Sequence, residues 1–139
     1  MKQPARRSDC PINFALELFG DRWTLLIIRD LAFKGKRFYG EFLQSEEGIA
    51  TNILSDRLST LEKNGIVRTS ADPAHKQKKI YQLTQKGIDL MPVLVEIIVW
   101  SARHDKNTAT DKNFLRAAKK DKEGLIAEII RKLSNASEK

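Results

Sequence analysis

One stretch in the middle of the chain constrains the fold more than any other, because it has the pattern of a short amphipathic helix with an unusual polar face. Within residues 50–64, Leu54, Leu58 and Leu61 recur at spacings of four and three, which places them on one side of a helix. Gly65 suits the left-handed conformation that often ends a helix. The opposite side carries short polar side chains, the type needed to read base edges in a major groove. Alone, the pattern leaves an ordinary amphipathic helix open as the alternative.

After this helix the sequence changes to the pattern of two strands. Residues 66–71 and 79–83 are the predicted strands, and the turn over 72–78 between them has a basic tip, so that the predicted wing spans 72–79. A helix-turn-helix followed by such a hairpin is a winged helix, so the predicted fold class is mainly α with a small β-hairpin. The basic wing is expected beside a DNA duplex, near phosphates or the minor groove. The alternative is that its lysines keep a sheet edge from pairing with other chains.

We call the helix over 50–64 the recognition helix, and the chain before it predicts two longer helices and a short third. Asp9 is the predicted cap of a first helix that ends at Gly20. Asp21 is the predicted cap of a second helix, which runs to about Phe33. Residues 37–43 are expected to form a short extended piece and then a short helix, which leads into the turn before the recognition helix.

The chain after the wing predicts a helix that is apolar nearly all round. Thr84 is its predicted cap, and between Met91 and Trp100 only Pro92, a possible kink, and Glu96 interrupt the apolar run. Such a helix must be covered nearly all round, and a chain of 139 residues has little core left to cover it alone. The pattern therefore predicts a two-fold homodimer, in which N- and C-terminal helices add to the interface.

The sequence divides into three predicted segments. These are a flexible tail over 1–8, a winged helix-turn-helix DNA-binding and dimerisation domain over 9–104, and a helical extension over 105–139. The extension is expected to form a helix with a weak point at Gly124, to lie on the dimerisation region, and to end in a tail over 135–139.

Composition narrows the classes of function. The net charge of +7 and a pI near 9.6 suit a polyanionic partner without proving one. One cysteine and two histidines cannot easily furnish a structural metal site, and no cofactor is expected. The sequence carries neither a recognisable catalytic cluster nor a glycine-rich phosphate loop, so an enzyme is not expected. Without a long apolar run or a signal region, a cytoplasmic protein with no membrane partner is expected.

Several segments, taken in order, also match a known pattern. They are Cys10-Pro11, the run 20–31 that begins Gly20-Asp21-Arg22-Trp23, Arg37-Phe38 with Glu41-Phe42, the run 48–54, and the run 83–87. Together they resemble the HxlR family of bacterial transcriptional regulators, which is related to the MarR winged helices. The resemblance covers about residues 9–104 and implies a dimeric repressor or activator. One departure is Ala50, where the family often has a serine cap, so the cap is expected to pass to Thr51.

Candidate DNA-binding residues follow from position on the predicted elements. For base readout we favour Thr51, Asn52, Ser55 and Asp56, because asparagine can pair with adenine and a carboxylate can accept from cytosine. Asp56 can equally be a salt-bridge partner or a guard against wrong bases. Arg57 can reach a phosphate or tie the helix to a neighbouring element. Candidate phosphate contacts are Arg37, Ser59, Lys63, His75, Lys76, Lys78 and Lys79, with Lys34 and Lys36 as further backbone clamps.

Cys10 is the candidate for redox sensing. It precedes a helix, whose unpaired N–H groups favour a thiolate. Some members of the look-alike family use a cysteine at this position to sense oxidants or electrophiles, so the resemblance implies the same possibility here. With one cysteine, sensing needs an intermolecular disulfide, a low-molecular-weight thiol cap or alkylation. The alternative is a small, half-buried residue in the dimer interface.

The predicted function is a sequence-specific, homodimeric transcriptional regulator that binds double-stranded DNA at a pseudo-palindromic operator. The alternative of a different class is a winged-helix module that binds proteins and lacks specific DNA binding. The operator and any small-molecule effector stay open at the level of sequence.

Overall fold

The computed structural model describes residues 6–137, which form seven helices and one two-stranded antiparallel sheet. The elements are α1 (Pro11–Phe19), α2 (Thr24–Phe33), α3 (Tyr39–Phe42), α4 (Thr51–Lys63), β1 (Val67–Ala71), β2 (Lys79–Leu83), α5 (Gln85–Ile88), α6 (Met91–His104) and α7 (Lys112–Ser137). The predicted architecture, mainly helical with a small hairpin after a helix-turn-helix, is confirmed. Of the predicted tail, residues 1–5 lie outside the described residues, and Arg6 pairs with Asp9 at 3.2 Å.

The apolar face of α4 lies in the centre of the core. Leu54, Leu58 and Leu61 are all buried, and Leu54 has no exposed surface. They pack in one cluster with residues of α2, α3, the sheet, α5 and α6, among them Ile28 and Phe42. Burial of several such side chains, each worth about 1.5–3 kcal/mol, fixes the rotation of α4 about its axis. The opposite, polar side must therefore face outward.

The hairpin packs against the core through β2. Val67 pairs with Leu83 at one end of the ladder and Ala71 with Lys79 at the other. The Tyr81 N–H donates to the Arg37 carbonyl at 2.8 Å, so the extended piece before α3 binds the outer edge of β2. The wing is thereby anchored to the segment that leads into the helix-turn-helix.

The run 83–87 joins the hairpin to α5, and two of its residues, Thr84 and Gly87, have identifiable structural roles. The Thr84 hydroxyl accepts from the Gly87 N–H at 3.2 Å, which caps α5 as predicted. A Cβ on Gly87 would lie 2.4 Å from the Ile66 carbonyl oxygen, so only glycine fits against this backbone. The cap hydrogen bond accounts for the threonine, and the close approach of the Ile66 backbone accounts for the glycine three residues later.

The predicted starts of the first two helices need correction. The cap of α1 is Cys10 rather than Asp9, because Asp9 turns toward Arg6. Asp21 makes the hydrogen bonds of a cap, but a turn of two residues follows it, and the regular helix begins at Thr24.

The recognition helix α4 begins without a side-chain cap. Ala50 is its N-cap residue, and Thr51 is already the first helical residue, so the expected transfer of the cap to Thr51 is wrong. The predicted glycine stop is confirmed, since Gly65 has a φ of 72°.

The long helix predicted after Thr84 is divided into α5 and α6. Pro92 lies in the first turn of α6, where its missing N–H removes no helical hydrogen bond, so it marks a helix start instead of a kink.

The weak point of α7 is Asp121, with φ −158° and ψ 83°, rather than Gly124. The Asp121 carboxylate accepts from the Gly124 N–H at 3.0 Å and so caps the second part of the helix. The helix continues to Ser137, which corrects the predicted tail from 135; residues 138–139 lie outside the described residues.

The extension α7 packs against α6 and also reaches the winged-helix core. Lys122 forms an ion pair with Glu96 of α6. Further along, Ile129, Ile130 and Leu133 pack against the core cluster. The second part of α7 therefore contributes to the core.

Candidate nucleic-acid interface

The outward face of α4 carries the short polar side chains that the sequence placed there. Thr51, Asn52, Ser55, Asp56 and Ser59 are all exposed. Lys63 is also exposed and lies in the last turn, where a cation interacts favourably with the carbonyl end of the helix. The arrangement offers hydroxyl, amide and carboxylate groups along one accessible surface.

Tyr39 holds the first turns of α4 in place, which sequence reasoning missed. Its hydroxyl lies 2.9 Å from the Thr51 carbonyl oxygen and 3.0 Å from the Ser55 Oγ. The contact joins α3 to α4 and engages one of the predicted base-reading hydroxyls. The sequence feature that could have predicted this contact is the tyrosine itself, because its hydroxyl lies in the short helix directly before the turn into α4.

An ion-pair network fixes the turn between α3 and α4. Arg29 of α2 donates to both carboxylate oxygens of Glu47, at 2.7 and 3.0 Å, and also to the buried Asp30 at 2.8 and 3.0 Å. The hydrogen bonds from Arg29 lower the pKa of Glu47 to about 2. The same interaction raises the pKa of Arg29. The turn is therefore tied to α2 by a bidentate pair.

Lys36, a predicted DNA backbone clamp, is engaged in this network within the chain. Its amino group donates to the Ser45 hydroxyl at 2.7 Å and lies 3.4 Å from a carboxylate oxygen of Asp30. A buried carboxylate needs such partners, because burying an unpaired charge is costly. Lys34, by contrast, is exposed.

Arg57 connects the recognition helix to the start of α2. Its Nε donates to the Asp21 carboxylate at 2.9 Å, and its Nη1 pairs with Asp56 at 2.5 Å. Partial burial raises the pKa of Asp21, but the hydrogen bonds from Thr24, Trp23 and Arg57 together outweigh it, so the pKa is lowered. Two roles were considered for Arg57, a phosphate contact and a link to a neighbouring element, and the pair with Asp21 is such a link. Asp56 likewise has the arginine partner considered for it.

The wing is a compact turn whose basic side chains face outward. A hydrogen bond of 3.0 Å from the Asp72 N–H to the Lys78 carbonyl closes the loop. His75, Lys76, Lys78 and Lys79 are all exposed. The Lys78 amino group also lies 5.7 Å from the centre of the Phe38 ring, which brings the wing close to the segment before α3.

Arg37 lies in that segment, with an exposed side chain and a fixed backbone. Its N–H and that of Phe38 both donate to the Glu41 carboxylate at 3.0 Å, which lowers the pKa of Glu41. Within residues 6–137, its guanidinium makes no hydrogen bond and no ion pair within 4 Å. Arg37 therefore presents an exposed cation on a constrained backbone, close enough to Glu41 for its charge to help lower the pKa of that carboxylate.

Two apolar surfaces lie apart from the polar face. Every residue of α1 is exposed or half-buried, with Ile12 69% and Leu16 56% exposed. On α6, Ile97 and Trp100 are 42% and 62% exposed. Apolar surface of this extent commonly marks an interaction site. Cys10, at the start of α1, is a free, exposed thiol.

Within residues 6–137, no group of three or more His, Cys, Asp or Glu side chains is arranged to hold a metal ion. In the same part of the chain, none of the helices combines the length and the apolarity needed to cross a bilayer.

A helix-turn-helix followed by a two-stranded wing defines a winged-helix protein. The HxlR-like helix-turn-helix pattern matches residues 18–109, and the chain belongs to this family, as the resemblance predicted. The family is one of transcriptional regulators and not of enzymes. The match ends before α7, so that helix lies outside it.

Relatives and solved structures agree with this assignment. The chain is 36% identical over 86 residues to sll1512 of Synechocystis, an uncharacterized HTH-type transcriptional regulator, with 62% of this chain and 63% of that protein covered. The chain therefore spans less than two thirds of that relative. It is 39% identical over 93 residues to the HTH-type transcriptional regulator YodB of Bacillus subtilis, with 66% of this chain and 82% of YodB covered.

Two solved structures of other proteins have a similar fold. The crystal structure of PA1607 gives a TM-score of 0.67 at 35% identity, covering 76% of this chain and 72% of that one. The reduced form of YodB gives 0.57 at 32% identity, covering 75% of this chain and all of YodB. YodB has also been solved bound to a quinone and after treatment with diamide.

Proposed function

We propose that this chain is a sequence-specific DNA-binding transcriptional regulator that acts as a homodimer in the bacterial cytoplasm. The observation that carries the proposal is the orientation of α4. Its apolar stripe is committed to the core, so Thr51, Asn52, Ser55 and Ser59 are exposed together. Short polar groups on an exposed helix after a tight turn suit a major groove.

In this proposal α4 reads bases and the wing binds the backbone. Asn52, near the helix start, pairs with a base edge, and Thr51 and Ser55 contribute hydroxyls. Asp56 forms an ion pair with Arg57 and so orders that arginine instead of contacting a base. Phosphate contacts come from Arg37, Ser59, Lys63 and the wing residues His75, Lys76, Lys78 and Lys79.

The exposed apolar surfaces of α1 and α6 support the dimer. A second copy that covered Ile12, Leu16, Ile97 and Trp100 would remove this surface from water. Two recognition helices related by two-fold symmetry would read a pseudo-palindromic operator.

Selection of bound duplexes from a random pool tests the proposal against the protein-binding alternative. A regulator enriches one sequence with two related half-sites about one helical turn, or a multiple of it, apart. A winged-helix module without specific DNA binding enriches no sequence, and that result would reject the proposal.

A second candidate function is sensing of oxidants or electrophiles through Cys10. Its exposed thiol favours this, as does the similarity to YodB, which has been solved with a quinone and after diamide treatment. The test compares DNA binding by wild type and Cys10→Ser before and after diamide or a quinone. Loss of binding only in wild type supports sensing, whereas the same response in both proteins refutes it.

A further inference from the structure

A cavity of about 450 Å³ lies between α7 and the back of the winged-helix core. Leu133 and Ala136 of α7 form one wall. The floor and remaining walls come from the end of α2, the segment before α3, strand β2 and α5. Because the family match ends at residue 109, one wall belongs to a segment outside that match.

The lining of this cavity is apolar on the inside and basic at one side. Leu31, Leu83 and Ile88 supply the apolar floor. The cations are Lys36 and Arg37, and the lining residues, all within the described part of the chain, include no carboxylate. The Lys36 amino group is held by Ser45 and Asp30. Arg37 therefore supplies the available charge.

The volume falls in the range of small-molecule sites, which are about 300–1,000 Å³ and mostly apolar with a few polar groups. A guanidinium is the side chain best suited to bind a carboxylate through two hydrogen bonds. From this combination we infer that the cavity binds an amphipathic monoanion, with the apolar body against Leu83 and Leu133 and the carboxylate on Arg37.

Ligand binding in this cavity would also affect DNA binding, because both would use Arg37. Arg37 is a proposed phosphate contact, and its carbonyl accepts from Tyr81 of β2. An anion on Arg37 would compete with DNA phosphate for the same guanidinium. This coupling rests on the proposed function, whereas ligand binding itself does not.

Calorimetric titration of the full chain without DNA tests the site. The probes are 1-naphthoate and octanoate, each compared with its uncharged primary amide. We expect saturable binding of at least one acid, with one molecule per chain, and binding of its amide weaker by about tenfold or more, the order of one charge-assisted hydrogen bond. Absence of saturable binding of both acids would overturn the inference.

Variants then locate the site. Ala136→Trp, which places a large side chain at the cavity wall, should abolish binding, whereas Lys132→Trp on the exposed side of the same helix should not. Arg37→Gln should make acid and amide bind alike, while Arg116→Gln, an exposed arginine of α7, should leave the difference intact. Thermal melts confirm that each variant is folded.

Two further results distinguish the possible failures. If the folded Ala136→Trp variant binds the acids as wild type does, the ligand lies elsewhere and the inference is wrong. If the acids bind as expected but the chain does not bind DNA, the ligand site stands and the proposed function fails.

Discussion

At the scale of single residues, the side chains that position the recognition helix differ from those proposed to read DNA. Tyr39 and Arg57 are engaged within the chain, through the Thr51 carbonyl and the Asp21 carboxylate. Asn52 is exposed and lies on the same helix. This separation means that loss of specificity and loss of stability should follow from different substitutions.

Asn52→Ala should reduce discrimination between operator and random DNA by about 1–3 kcal/mol per contacted base pair, because the bidentate pair with the base can no longer form. Its effect on random duplex should be small, since asparagine carries no charge to neutralise a phosphate. Fluorescence anisotropy with both duplexes at one salt concentration measures the difference.

Lys76→Ala should instead weaken binding to all duplexes similarly and make log Kd less steep in log salt, by about one for each phosphate that the protein no longer neutralises. Titrations at four salt concentrations give this slope. Equal changes in specificity for Asn52→Ala and Lys76→Ala would contradict the division of roles between helix and wing.

Arg57→Met should lower the free energy of unfolding by about 1 kcal/mol or less, because the pair with Asp21 is partly exposed and screened by solvent. Urea denaturation measures the change, and a double-mutant cycle with Asp21→Asn isolates the coupling. Lys119→Met, which removes an exposed cation in the middle of α7, is the control. Additive effects of Arg57→Met and Asp21→Asn would show that the pair contributes nothing.

At the scale of elements, periodicity and turn residues were enough to predict most of the fold. The stripe of α4, the glycine stop at Gly65 and the hairpin could be located because each depends on neighbours within a few residues. The division between α5 and α6 was missed, because the apolar run continues across it. The break at Asp121 was placed at Gly124, because a carboxylate that caps a helix from within a helical pattern leaves no periodic signal.

The supporting contacts of the site could not be predicted for a related reason. Arg29 and Glu47 are 18 residues apart, and Arg57 and Asp21 are 36 apart, so nothing local relates one partner to the other. The outward residues of α4 were found because an amphipathic helix fixes its polar face once its apolar face is known.

The turn between α3 and α4 should weaken in acid. Because the pKa of Glu47 is lowered from 4.5 to about 2 in the folded chain, its pair with Arg29 stabilises the fold above about pH 4.5. That contribution is lost as the pH falls from about 4.5 to about 2. The free energy of unfolding of Glu47→Gln should therefore decrease less than that of wild type over this pH range.

Urea denaturation at several pH values tests this, with Glu46→Gln as the control because Glu46 is the exposed neighbour. The explanation would be wrong if Glu47→Gln and wild type lost stability in parallel between about pH 5 and pH 2.

At the scale of the whole molecule, the apolar surfaces of α1 and α6 lead us to expect a dimer at micromolar concentration. Ile97→Asp should convert it to a monomer, because a carboxylate buried without a partner in the interface is strongly unfavourable. Light scattering measures the mass. Lys119→Asp, which also introduces a carboxylate but at an exposed position of α7, should remain dimeric. A wild-type mass near 15.9 kDa at these concentrations would contradict the dimer.

The most direct measurement of the central claim is a titration of the protein with the intergenic DNA beside its own gene and with random duplex, at several salt concentrations. Specific regulation by this winged helix predicts tight, salt-sensitive binding to the intergenic DNA and binding to random duplex weaker by about a thousandfold or more. Equal, weak binding to both duplexes would contradict it, and would leave a winged helix whose basic surface serves another partner.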